Sequence, residues 1–204
     1  MSVTEVRMGE ITGLEQVLLN DLKSSRLSII TDVSSLDLEE KTVLQHEDGY
    51  FIIVMSIVDE NYNMLSNFSV IYDDSFDIKE YTETHIIESD NGFFKVINYV
   101  NGVLIAETET ELKFIENNEF ESQLQELEDI LSNSEMSRAS NSQSKCVSLV
   151  LKIGVVVAAL IITACIPICV LSLGAACSGC VVVLVPSLTK LGVSTQAKIV
   201  ACMN

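Results

Sequence analysis

No charged side chain occurs between Lys152 and Lys190, a run of 37 residues. This feature restricts the chain more than any average does, because a membrane-spanning helix needs only about 20 apolar residues. Ile153–Leu173 alone contains twelve Ile, Val or Leu, which together favour entry into a bilayer by about 4–7 kcal/mol. Gly154, Pro167 and Ser172 lower that figure without reversing its sign. Pro167 removes a backbone donor and crowds the preceding turn. The run is therefore expected either as one kinked helix or as two helices near 147–165 and 168–185.

The rest of the chain has the opposite character. Residues 1–135 carry all 29 acidic residues and seven basic ones, a net −22. Residues 136–204 carry Arg138, Lys145, Lys152, Lys190 and Lys198 with no acidic residue, a net +5. All six cysteines and both prolines, Pro167 and Pro186, fall on the cationic side. Three properties change at one border, which predicts three parts. Residues 1–131 form an acidic soluble α+β domain, 132–145 a linker, and 146–204 an apolar, cationic, all-α module. The linker Ser132–Lys145 is rich in Ser and Asn and lacks the apolar side chains needed to order itself. It is expected to be flexible and open to cleavage, with Lys145-Cys146 as the candidate cut.

Within the acidic part, Leu14, Val17, Leu18 and Leu22 recur at helical spacing, predicting an amphipathic helix over Gly13–Ser24 with Glu15, Asp21 and Lys23 outward. Leu27, Ile29 and Ile30 suggest a short strand. Apolar runs at Tyr50–Val58, Met64–Tyr72, Lys79–Glu88, Phe93–Val100 and Val103–Thr110, separated by turn residues, predict an antiparallel meander of about five strands. Asn91-Gly92 and Asn101-Gly102 mark two hairpins, since both residues of the tightest turn need positive φ. Phe120, Leu124, Leu127 and Leu131 outline a second amphipathic helix.

The cysteines carry the sharper chemistry. Cys146, Cys165, Cys169, Cys177, Cys180 and Cys202 crowd into 59 residues, against none in the preceding 145. An even number in a short apolar module predicts three disulfides in an oxidising setting, with fifteen connectivities open. Two other readings stand beside this one. Buried thiols can pack as small hydrophobes, and Cys165, Cys169, Cys177 and Cys180 supply enough sulfurs for a four-thiolate metal site. Apolar surroundings oppose the metal site, because nothing there stabilises thiolate charge. No cofactor is expected.

No catalytic constellation is legible, and no enzyme is expected. The two histidines, His46 and His85, lack a patterned carboxylate partner and are expected at exposed or edge positions. Asp73, Asp74 and Asp77 read as a solvated turn more readily than as a calcium site. The acidic surface repels phosphates and excludes nucleic acid as a partner. Residues 1–26 include Glu5, Glu10, Glu15 and Asp21 without an apolar core behind a basic start. No ordinary secretory signal is expected there.

The spacing Cys165-Ile-Pro-Ile-Cys169, followed by seven residues to Cys177, resembles the cysteine-rich toxin part of halocin-like bacteriocin precursors of the microhalocin type. The similarity covers residues 146–204, with the acidic-domain-plus-peptide layout alone extending to residues 1–135. What the resemblance implies is an antimicrobial precursor. A protease and an exporter release the C-terminal peptide, which is secreted and acts on target-cell lipid membrane, and the N-terminal part binds, restrains or gives immunity to it. Before processing the chain would be membrane-associated. The physics of a cationic apolar peptide agrees, since it is drawn to anionic lipid and then partitions into it. Lys152, Ile153, Leu160, Ile161, Ile166, Val170 and Leu171 are the candidate membrane contacts. The alternative is an intact membrane-anchored binding protein whose tail is a transmembrane segment.

Overall fold

A computed structural model describes residues 3–6, 11–46, 48–120, 155–171 and 180. Seven strands form one antiparallel sheet in sequence order: β1 (Val3–Val6), β2 (Leu36–His46), β3 (Phe51–Ile57), β4 (Asn67–Tyr72), β5 (Ile78–Glu88), β6 (Phe93–Val100) and β7 (Val103–Lys113). Among the described residues, helices α1 (Leu14–Lys23) and α2 (Val155–Leu171) accompany them. The meander is as expected, with two strands more than the apolar runs outlined. β1 is only four residues long. β2 carries Asp37, Glu39, Glu40 and Lys41, and its register shifts between Leu36 and Lys41. A bulge fed by backbone N–H bonds to the Asp37 carboxylate hides the period-two pattern.

Turn chemistry fixes the register. At Asn101-Gly102 both residues have positive φ, 51° and 75°, the two-residue turn whose twist matches its strands. The other hairpin differs from expectation. At Asn91-Gly92 only Gly92 is left-handed (φ 78°). Gly92 N–H donates to the Ser89 carbonyl and Ser89 N–H to the Phe93 carbonyl, so the loop is a three-residue turn closed by a glycine bulge. Met64–Ser66, expected in a strand, belongs instead to a loop pinned by buried Asn63, whose side-chain oxygen accepts the Leu65 N–H.

Alternation then sorts the side chains into two faces. On the first, Val43, Ile53, Met55, Phe68, Val70 and Tyr72 pack under Leu14, Leu18 and Leu22 of α1. Asp21 of that helix is not turned outward; it is 2% exposed, pairs with Arg26 at 2.9 Å and accepts the Tyr72 hydroxyl at 3.1 Å. Burial and the neighbouring Asp21 charge push the Tyr72 hydroxyl pKa far up. The second face buries Leu44, Ile52, Val54, Ile71, Ile86, Phe94 and Val96. Strands β3 and β4 are thus covered on both sides, which is why their sequences read as continuous apolar runs.

Leu27–Ile30 is no strand. Its backbone bonds run to side chains of β5: Ser28 N–H donates to Tyr81 Oη at 3.0 Å and Ile30 N–H to Glu83 Oε1 at 2.7 Å. The second amphipathic helix shows its opening turn at 117–120, where Phe120 is fully buried against Phe94. Leu124, Leu127, Leu131 and the linker lie outside the described residues.

Candidate functional site: a docked apolar helix and an aromatic cleft

α2 is apolar on every side, so its sequence favours no face. It packs against β6 and β7. On β6, Ile97 and Tyr99 of the first face line the cleft described below, and Phe94, Val96 and Asn98 of the second face are buried. Leu160, Ile161, Ala164, Cys165 and Ile168 are buried, a spacing that falls on one helical stripe. Burying the three large aliphatics contributes roughly 4–9 kcal/mol gross. Val170 is 74% exposed. The helix continues through Pro167 instead of dividing there, although the proline leaves the Thr163 carbonyl without its helical donor. Thr163 keeps its own hydroxyl satisfied on the Ala159 carbonyl at 2.8 Å. No helix among the described residues is long and apolar enough to cross a membrane.

Cys165 and Cys180 are joined as a disulfide with their Cα atoms 5.6 Å apart, and Cys169 is also disulfide-bonded. Sulfurs committed in this way are not thiolate ligands, and no metal cluster occurs among the described residues. Of the other candidates, Lys145, Cys146, Lys152, Ile153, Cys177 and Cys202 lie outside the described residues. Leu160 and Ile161 face protein, and Ile166 is half-buried. Leu171 closes the helix.

The second locus was not anticipated. Glu83 and His85 are two apart on β5 and therefore share the first face. Both are buried, at 0% and 4% exposure, against the expectation of an exposed histidine; His46 is buried as well, at 3%, beside Asp48. Burial raises the Glu83 pKa. Bonds from His85 Nε2 at 3.3 Å, from the Ile30 and Thr31 N–H groups at 2.7 and 2.9 Å and from the Thr31 side chain outweigh it, leaving the pKa below 4.5. Thr31 Oγ1 also lies 2.8 Å from His85 Nε2. An ionised carboxylate only accepts, so in the neutral form of the imidazole the single proton belongs on Nε2 and Nδ1 is an acceptor. Nδ1 has no hydrogen-bond partner among the described residues.

His85 forms part of the wall of a cleft of about 620 Å³. Tyr62 and Tyr99 flank its ring, each with centroids 5.1 Å away. Asn117 positions Tyr62 by donating to its carbonyl at 3.0 Å while accepting the Met64 N–H. Glu60, Glu88 and Glu116 supply the charged groups of the wall, and no lysine or arginine lines it among the described residues. The Glu83-x-His85 spacing on β5 was the available signal, and Tyr62 and Tyr99 carried none. Asp73, by contrast, builds a turn: it accepts the Ser75 and Asp77 N–H groups at 2.9 Å and pairs with Lys79 at 2.7 Å.

Comparison with family models, with curated proteins and with solved structures finds no match.

Proposed function

We propose that the chain is the precursor of a bacteriocin-like, membrane-active peptide, in which the acidic sheet domain shields the apolar tail until it is released. The observation that carries this reading is α2 lying against β6 and β7, with Leu160, Ile161 and Ile168 withdrawn from water by an acidic partner. A wholly apolar helix free in water would aggregate or enter lipid; docking onto a sheet face keeps it in solution. The net charges of −22 and +5 on the two parts add long-range attraction. The disulfide between Cys165 and Cys180 ties the helix to the chain beyond it, so the released piece would keep a compact shape.

Vesicles of anionic phospholipid loaded with a fluorescent dye test the reading. Intact chain is expected to leave them sealed. Chain cut within 132–145 is expected to release the dye, and the peptide from Cys146 onward should be found by mass spectrometry in culture medium. Equal leakage by intact and cut chain, or a tail that always stays joined to the domain in cell membranes, overturns the proposal. The second outcome favours the anchored binding protein.

A further inference from the structure

None of the residues that line the cleft beside His85 belongs to α2. We infer that this cleft is a binding site for an organic cation bearing N–H donors, of the class of an arginine or lysine side chain. Four features converge on that chemistry. The fixed charges of the wall are the carboxylates of Glu60, Glu88 and Glu116, uncompensated by any basic lining residue among those described. Tyr62 and Tyr99 line the same wall, and aromatic rings attract cations through their quadrupoles. His85, only 4% exposed, lines the wall, and its Nδ1 has no hydrogen-bond partner among the described residues. Its opposite nitrogen is fixed by Thr31 and Glu83, so the acceptor cannot rotate away. A neutral apolar ligand would leave that nitrogen unsatisfied, and an anion would meet three carboxylates. A guanidinium or ammonium group satisfies all of them at once.

Titration of the full chain with N-acetyl-arginine amide, followed by nitrogen NMR of the histidine rings, tests the site. Saturable binding with a dissociation constant on the order of 1 mM is expected from cation–π and rim-charge contributions, with the His85 Nδ1 resonance moving and that of His46 still. The neutral isostere N-acetyl-citrulline amide should bind at least about tenfold more weakly, and exposed-rim replacement by Glu60→Gln, Glu88→Gln and Glu116→Gln together should weaken arginine by about tenfold. Tyr62→Leu should weaken it about threefold to fivefold. Tetramethylammonium, charged but without a donor, should leave Nδ1 unmoved. The same titration on chain carrying Arg138→Gln and Lys145→Gln separates two sources of the cation. Tighter binding of the probe identifies the chain's own basic side chains as competitors; unchanged binding identifies a separate peptide or amine. Absence of saturable binding, equal binding of citrulline, or affinity unaffected by the rim substitutions overturns the inference.

Discussion

Replacing one carboxylate oxygen of Glu83 by an amide nitrogen, as in Glu83→Gln, sets a donor against the N–H of Ile30 or Thr31, both of which now find an acceptor. The expected loss is about 1.5–3 kcal/mol at neutral pH, measured by urea unfolding. The pH dependence has a definite sign. The folded pKa lies below the reference value of 4.5, so the contribution is complete above that value and disappears as pH falls through the folded pKa. The variant should lack this part of the acid-induced loss, and its stability curve should be flatter below pH 4.5. Gly102 presents a different constraint at the same scale. A Cβ there would sit 2.5 Å from the Ser28 carbonyl oxygen, at φ 75°. Gly102→Ala should cost about 1–3 kcal/mol or more by displacing the 24–35 loop. Gly49→Ala, with φ 88° but nothing within 4 Å, should show only the backbone component, about 1–2 kcal/mol. The two thermal melts together separate contact from conformation.

Helix α2 is the element whose placement has most consequence. Leu160→Ala should weaken docking by about 2–5 kcal/mol, read as faster proteolysis and increased binding of an apolar dye. Val170→Ala, at a position 74% exposed, should stay within about 0.5 kcal/mol. Among the strands, Phe93–Val100 was legible to the residue because an Asn-Gly turn bounds it on each side and its outward positions are polar or half-buried. β2 was illegible for the converse reason: the bulge after Leu36 shifts its apolar residues out of alternation. The Leu27–Ile30 segment has strand composition, but Tyr81 and Glu83 supply the acceptors that a neighbouring strand would have supplied. Local pattern cannot separate these outcomes, since both satisfy the backbone.

At the scale of the whole molecule, the disulfide between Cys165 and Cys180 closes a loop of 15 residues. Replacing both by Ala should lower stability by about 3 kcal/mol through added freedom of the unfolded chain. Thermal unfolding of the intact protein, compared with and without the substitution under non-reducing conditions, checks this. If α2 is released from β6 and β7 before the sheet melts, the two events should appear as separate transitions. A joint core would give one.

The division into an acidic, cysteine-free part and an apolar, cysteine-bearing part was settled by composition alone, because charge and hydropathy are sums over residues and need no geometry. The meander, too, was written locally in its apolar runs and Asn-Gly turns. Which side of α2 is buried, which cysteine meets Cys165, and why His85 lines one cleft with Tyr62 and Tyr99 while Glu83 is buried beside it depended on pairings between residues far apart in the chain. A helix apolar all round has no preferred face until a sheet offers it one. An ionised Glu83 becomes tolerable in the interior only when the loop at Ile30 and Thr31 arrives to solvate it.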